Sequence, residues 1–293
     1  MNIRIEKLLA DLRQDHLDAL LVTNEVNVRY LTGFTGDSTY LVVGGDGPIL
    51  LSDGRYETQI ATQCPGIQAR IRSPSDLLPD LTREALLELG GQGTGKPRVG
   101  VEAQHLSLSS FRRLTSGLGS VEFIETSGIV EKLRMIKDAD EIAITKKAVE
   151  VAQTAFLQVL PKVQGDWSEL QLAFALEDAM RQLGAQGCSF DPIVGAGPGA
   201  ALPHYQPTQN RIGGSNGLLI DWGALCEGYA SDLTRTLKLK NSSEAFNRAH
   251  QVVLEAQMAA IEAIQPGRET REVDAAARRV LRREGMEDAF KHG

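Results

Sequence analysis

Two aspartates are the residues whose type and spacing most directly suggest chemistry. Asp221 and Asp232 each interrupt a run of apolar, β-prone residues, where a lone carboxylate is costly to bury. Between the runs, Cys226, Glu227 and Gly228 have turn character, so the two runs are predicted to form a β-hairpin. With the turn centred between Cys226 and Glu227, the aspartates are directly opposed and both carboxylates point to the same face.

Two like charges at that separation repel each other, and burial increases the penalty. A divalent metal ion is the simplest compensation, because carboxylate oxygens bind and bridge hard cations well. Taken alone, either aspartate is better explained structurally, by an ion pair with Arg235 or by a turn cap. Two aspartates at this spacing, both in strand-forming segments, favour the metal site. Thr234 lies on the same strand face as Asp232, where it would brace the carboxylates or simply supply β propensity.

The bulk composition restricts the class of protein. The chain has 293 residues, a net charge of −7 and 42% hydrophobic residues, which suits two globular domains with a sizeable core. It lacks the basic stripe of a nucleic-acid-binding protein, and no segment has the character of a membrane span or a signal peptide. Three scattered cysteines without a Cys-x-x-Cys motif indicate a reduced, cytoplasmic protein.

The first part of the chain predicts an α/β domain. The apolar stripe in Ile5–Leu12 predicts a helix, and residues 19–22 predict a strand that follows it. Further alternating strands and helices continue until shortly before Thr126. The domain boundary is expected there, so that residues 1–126 form the N-terminal domain and residues 127–293 form the second domain.

The second part contains an internal repeat. Ala148–Ala185 and Ala249–Met286 have the same layout, with two helices separated by a break and ended by a glycine, Gly184 or Gly285. After Gly184 the chain supplies several predicted strands, whereas only a few residues follow Gly285. The second half therefore has its helices and lacks most of its strands. A chain that is incomplete at its C-terminus is expected, with an open sheet edge.

Several segments resemble the creatinase/prolidase family, the pita-bread metallopeptidases, and within it bacterial Xaa-Pro dipeptidases and aminopeptidases P. The resemblance implies an α+β protein, in which a creatinase-like α/β domain precedes a pita-bread domain, here lacking its last strands. The segments that carry it are, in chain order, Val28–Gly36, Ser52–Tyr56, Glu131–Ile142, Phe190–Val194, Ala201–Tyr205 and the two aspartate segments.

The resemblance also assigns roles to particular residues. Such proteins hold two divalent metal ions, manganese, cobalt or zinc; Asp221 matches the carboxylate that holds one metal, and Asp232 matches the one that bridges both. His204 matches the catalytic histidine that stabilises the tetrahedral intermediate. Phe290–Gly293 is similar to the opening of a histidine-containing stretch, in which His292 would contact the substrate.

One histidine ligand and two glutamate ligands would, by the same resemblance, follow Gly293. The 293-residue chain alone is therefore expected to bind metal poorly and to be inactive. A smaller departure from the family pattern is Gly199, which stands where many relatives have Asn.

The function that the resemblance implies is a homodimeric, metal-dependent peptidase that cleaves small peptides with proline at the second position. Two alternatives belong to other classes. One is a non-catalytic fragment or binding relative of the same fold, and the other is a metal-free amidinohydrolase of the creatinase type. Adjacent carboxylates disfavour the metal-free enzyme, and a metal analysis separates all three.

Overall fold

The computed structural model describes residues 2–45, 47–89 and 95–291. The chain forms two compact units that divide between Lys137 and Asp138. The elements of the first unit are α1 (Ile3–Gln14), β1 (Ala19–Val22), α2 (Glu25–Thr32), β2 (Tyr40–Gly44), β3 (Gly47–Ser52), α3 (Glu57–Gln63), β4 (Gln68–Ile71), α4 (Leu78–Leu89), β5 (Arg98–Glu102), α5 (Leu108–Thr115), β6 (Glu122–Thr126) and α6 (Ile129–Met135).

The first unit is a six-stranded mixed sheet in the order β4-β3-β2-β1-β5-β6. Strand β1 is buried on both faces, since Leu20 and Val22 contribute to one apolar cluster and Ala19 and Leu21 to another. Residues of α1, α2, α3 and α6 complete the first cluster, and residues of α4 and α5 complete the second. The sheet therefore lies between two helical layers, as the predicted α/β character requires.

The first unit extends beyond Thr126, after which the boundary was predicted, because α6 packs into it. Val130 is buried in the same cluster as residues of α1. The Asn27 side chain donates a hydrogen bond to Glu131 Oε1 at 2.6 Å and accepts one from Arg134 Nη1 at 2.8 Å. Both apolar and polar contacts thus hold α6 to the first unit.

The second unit confirms the predicted repeat of helix pairs. Each pair is followed by a glycine in the left-handed conformation, Gly184 with φ 95° and Gly285 with φ 70°. The elements are α7 (Ala139–Val159), α8 (Glu169–Gln182), β7 (Gly187–Cys188), β8 (Ile193–Ala196), β9 (Gly217–Trp222), β10 (Ala224–Cys226), β11 (Tyr229–Ala230), β12 (Leu233–Lys238), α9 (Glu244–Ala263) and α10 (Thr270–Arg283), with short 3₁₀ turns at Leu160–Lys162, Gly197–Ala201 and Glu287–Ala289.

Helices α7 and α8 pack on two three-stranded sheets, ordered β11-β10-β7 and β12-β9-β8. The largest fully buried side chain of this core is Trp222, whose ring stacks on Phe156 with 4.7 Å between centroids. Its indole Nε1 donates to the Ala152 carbonyl at 2.9 Å, so the buried polar atom is satisfied. Strand β9, which carries Asp221, is thereby fixed against α7.

Helices α9 and α10 form a smaller cluster around Val252 and Val280. Helix α9 also exposes large apolar side chains on another face, Val253, Leu254 and Met258 among them. Across residues 2–45, 47–89 and 95–291, none of the helices combines the length and apolar character needed to cross a bilayer.

Candidate metal centre

The two aspartates lie on the two arms of an antiparallel hairpin, which is divided between two sheets and has a tight turn. Strands β10 and β11 pair Cys226 with Tyr229, which leaves Glu227 and Gly228 as the two central turn residues. Both have positive φ, 49° for Glu227 and 83° for Gly228, which is the signature of a type I′ hairpin turn. Gly228 adopts this conformation without strain. The pairing of Cys226 with Tyr229 places the turn centre between Glu227 and Gly228.

This turn corrects the predicted pairing of the aspartates. Asp221 is paired with Thr234 across β9 and β12, and not with Asp232. Continuing the same register places Asp232 across from Gly223, as a diagonal neighbour of Asp221. The real turn centre lies one residue later than predicted, so the pairing is displaced by two residues. A displacement of two preserves the face on which each side chain lies, because strand side chains alternate with period two.

Asp232 directly precedes β12, at a break that Gly223 makes possible. A Cβ atom on Gly223 would lie 1.9 Å from the Ser231 carbonyl oxygen and 2.2 Å from Ser189 Oγ. These two oxygens are themselves hydrogen-bonded, with Ser189 Oγ donating at 2.7 Å. The Ser231 hydroxyl is also buried and accepts a bond from the Ala224 N–H at 2.9 Å. The close crossing at Gly223 therefore sets the backbone position from which Asp232 projects.

The electrostatics of the pair fit a cation. Burial is the largest influence on the pKa of Asp221 and raises it, and the charge and side-chain hydrogen bond of Asp232 act in the same direction. The Thr234 hydroxyl opposes that shift by hydrogen-bonding to the carboxylate. Asp221 Oδ1 is buried without a hydrogen-bond partner among the described residues. A buried acceptor oxygen beside a second carboxylate fits a hard divalent cation.

The structure brings the two aspartates together and places His204 on a separate, exposed loop. His204 follows the 3₁₀ turn Gly197–Ala201 and lies in a tight turn closed by the Tyr205 N–H on the Leu202 carbonyl, at 3.2 Å. Among the described residues, no hydrogen bond or ion pair joins His204 to either aspartate. Its catalytic role stays a prediction.

His292 lies outside the described residues, and its predicted contact with substrate stays a prediction. Phe290, just before it, packs under the Arg278 guanidinium at 5.1 Å from the ring centroid. Within residues 2–45, 47–89 and 95–291, no group of three or more His, Cys, Asp or Glu side chains could hold a metal ion. The described part of the centre is therefore a pair of carboxylates.

One residue near the His204 loop was missed in the sequence. Glu169, in the first turn of α8, is 0% exposed, and its carboxylate accepts hydrogen bonds from the loop. The sequence shows Ser168 and Gln171 as a capping box, which predicts the start of α8. Nothing local in the sequence shows that Glu169 between them points inward, because its partners lie far along the chain.

Comparison with known proteins finds family models over nearly the whole chain. The model described as metallopeptidase family M24 matches residues 143–293, and the model described as the creatinase/prolidase N-terminal domain matches residues 4–136. The two matches meet around the division between the two compact units.

Individual relatives match over almost the full length of this chain. An uncharacterized peptidase of Bacillus subtilis is 32% identical over 290 residues, which is 99% of this chain and 80% of that protein. An Xaa-Pro dipeptidase of Pyrococcus furiosus is 29% identical and is covered to the same 80%.

Solved structures share the fold. An Xaa-Pro dipeptidase from Bacillus anthracis superposes with a TM-score of 0.91 at 33% identity, over 99% of this chain and 79% of that one. An X-Pro aminopeptidase from Thermotoga maritima has a TM-score of 0.86 at 30% identity, over 97% of this chain and 79% of that one. The predicted succession of a creatinase-like domain and a pita-bread domain is confirmed, and the chain belongs to metallopeptidase family M24.

Proposed function

We propose that this protein is a metal-dependent peptidase that hydrolyses the bond before a proline in the second position of a small peptide. The observation that carries the proposal is the adjacent Asp221 and Asp232 in a chain of family M24, with an Asp221 oxygen that has no hydrogen-bond partner among the described residues. The Xaa-Pro specificity is supported by similarity to an Xaa-Pro dipeptidase and an X-Pro aminopeptidase.

Each residue of the pair has a distinct role in this proposal. Asp221 would hold one divalent ion and Asp232 would bridge two. Ions held there would supply Lewis-acid activation of water near neutral pH. The Thr234 hydroxyl would keep the Asp221 carboxylate oriented, since Thr234 is paired directly with Asp221 across β9 and β12. His204 would donate a hydrogen bond to the oxyanion that develops on the scissile carbonyl.

Three finer features belong to the same proposal. Mixed carboxylate and imidazole ligation favours manganese, cobalt or zinc. A homodimer follows from the family resemblance and is checked by light scattering. A reducing cytoplasmic location is supported by the thiols, since Cys64, Cys188 and Cys226 are all free.

The test is a peptidase assay on the protein at its native length, whatever sequence flanks the 293 residues. Ala-Pro, Ala-Pro-Ala and Ala-Ala are offered with and without manganese, together with a metal analysis. Cleavage of a proline peptide that a chelator stops and manganese restores supports the proposal. Equal cleavage of Ala-Ala refutes the proline specificity, and full activity in a metal-free sample refutes the metal dependence.

A matched pair of variants tests the metal role. Asp232→Asn should lower turnover by more than about 100-fold and remove bound metal, because a ligand is lost. The fold should survive, since the amide has the same shape and relieves the repulsion on Asp221. Asp166→Asn makes the same change at an exposed position in the same unit and should leave metal content and turnover unchanged. Normal turnover with two metals in Asp232→Asn would rule out the bridging role.

A further inference from the structure

The loop between β8 and β9 is tied at three points to a single buried carboxylate. Glu169 Oε1 accepts a hydrogen bond from the Ala196 N–H at 2.9 Å, where β8 ends. Glu169 Oε2 accepts bonds from the Tyr205 hydroxyl at 2.9 Å, the Thr208 N–H at 3.0 Å and Thr208 Oγ1 at 2.8 Å. His204 lies between the first and last of these points and is covalently next to Tyr205.

The first turn of α8 also holds this loop through hydrogen bonds in which the helix donates and the loop accepts. The Glu169 N–H donates to the Asn210 carbonyl at 3.0 Å, and the Leu170 N–H donates to the Thr208 carbonyl at 3.1 Å. The first N–H groups of a helix have no partner within the helix, so the loop satisfies donors that would otherwise be unpaired. Helix and loop are therefore connected by reciprocal hydrogen bonds around Glu169.

The four groups that contact the Glu169 side chain are all placed to donate. Two are backbone N–H groups and two are hydroxyls, and an ionised carboxylate can only accept. The position in the first helical turn also favours a negative charge, because the N-terminal end of the helix dipole is positive. Glu169 is 0% exposed, and loss of this acceptor would leave the Ala196 N–H buried and unpaired and would release the Tyr205 and Thr208 donors.

The Tyr205 ring, which carries one of these hydroxyls, needs a glycine beneath it. A Cβ on Gly199 would lie 2.8 Å from Tyr205 Cζ, closer than real Cβ contacts permit. The absence of a side chain at Gly199 therefore lets Tyr205 reach Glu169. This gives a physical reason for glycine at a position where the family resemblance leads one to expect asparagine.

We propose that Glu169 is a positioning residue for His204. It holds the loop that carries His204 in one conformation by accepting from both ends of the segment and from the residue next to the histidine. The hydrogen bonds alone support the claim that Glu169 fixes the loop, whereas the effect on catalysis rests on the proposed function. Glu169 itself is enclosed by the loop and acts through His204.

The first experiment measures the loop directly in the 293-residue chain. In Glu169→Gln the amide nitrogen, which is a donor, replaces one of the two carboxylate oxygens. In one orientation it faces the Ala196 N–H, and in the other it faces the Tyr205 and Thr208 donors, so at least one hydrogen bond is lost. Amide hydrogen exchange, read by mass spectrometry on peptides covering residues 196–211, should accelerate by about ten-fold or more. Glu141→Gln is the matched control: Glu141 is also a buried acid in the first turn of a helix, and it accepts from the Tyr229 hydroxyl. It should leave exchange in 196–211 unchanged. Equal exchange in wild type and Glu169→Gln overturns the proposal.

The second experiment reads His204 itself. Ring resonances of ¹⁵N-labelled histidine are assigned to His204 by their loss in His204→Gln. They should shift or broaden in Glu169→Gln and in Gly199→Asn, which pushes the Tyr205 ring away, and stay in place in Glu141→Gln. The Gly199 variant keeps the test decisive if Glu169→Gln fails to fold. Unchanged His204 resonances in a folded variant at either position refute the positioning role.

A kinetic arm at native length separates this inference from the proposed function. Glu169→Gln should lower kcat for Ala-Pro by about 10-fold or more with little change in KM, since His204 acts on the developing oxyanion. A wild-type protein that cleaves no proline peptide overturns the proposed function and leaves the loop measurements to decide the positioning. A normal kcat with a disordered loop overturns the link between His204 position and catalysis.

Discussion

Gly223→Ala tests whether the close crossing beside the aspartates is as tight as the structure indicates. The new methyl group would lie 1.9 Å from the Ser231 carbonyl oxygen and 2.2 Å from Ser189 Oγ. Both oxygens must retreat by roughly 1.2–1.5 Å to reach ordinary contact, and neither belongs to a long flexible side chain. Overpacking of this kind costs about 1–3 kcal/mol. Loss of the 2.7 Å Ser189–Ser231 bond adds about 1–3 kcal/mol if the buried carbonyl stays unpaired.

The expected total is a loss of about 2–6 kcal/mol in the free energy of unfolding of the second unit. Urea unfolding followed by tryptophan fluorescence measures it, because both tryptophans, Trp167 and Trp222, lie in that unit. Thermal unfolding should show a Tm lower by roughly 4–24 °C. Asp232 projects from the displaced backbone, so manganese binding should weaken as well.

Gly165→Ala is the matched control for this prediction. Gly165 is exposed, has no positive φ, and a Cβ there would meet its nearest neighbour at an ordinary 3.5 Å. Its free energy of unfolding should change by less than about 0.5 kcal/mol. If Gly223→Ala behaves like Gly165→Ala, the backbone crossing is not tight, and the account of how Asp232 is placed fails.

Two further predictions concern Asp53 in the first unit and metal binding by the aspartate pair. Asp53 is buried beside Arg55, and side-chain hydrogen bonds from Arg55 lower the pKa of Asp53 from 3.8 to about 2. The ionised Asp53 therefore stabilises the fold above pH 3.8, and this contribution is lost as the pH falls towards 2. Asp53→Asn should therefore cost roughly 1–2 kcal/mol at pH 7, after allowance for solvent screening at the exposed Arg55, and clearly less at pH 3; equal urea midpoint differences by circular dichroism at both pH values would contradict this. Calorimetric titration of the 293-residue chain with manganese should show binding weaker than about 0.1 mM, because two carboxylates leave most of the ion hydrated, and Asp221→Asn should abolish it. Tight two-site binding would show instead that the chain supplies a complete centre.

The local features of this protein were readable from its sequence. The stripe in Ile5–Leu12 predicted α1, and the repeated helix-glycine layout predicted the two helix pairs that end at Gly184 and Gly285. These predictions succeed because periodicity and caps act over a few residues. The face shared by Asp221 and Asp232 was also predictable, since a shift of the strand register by an even number of residues leaves both side chains on the same face.

The register of that hairpin and the contacts of Glu169 were decided only in the folded chain. Shifting the hairpin by two residues leaves every side chain on its face, so the hydrophobic pattern is equally well satisfied and cannot choose between the pairings. The folded chain adopts the pairing in which Glu227 and Gly228 take positive φ and Gly223 permits the close approach of the Ser231 carbonyl. Glu169 meets partners 27 to 39 residues away, and a buried acceptor acquires its donors only when those distant segments pack together.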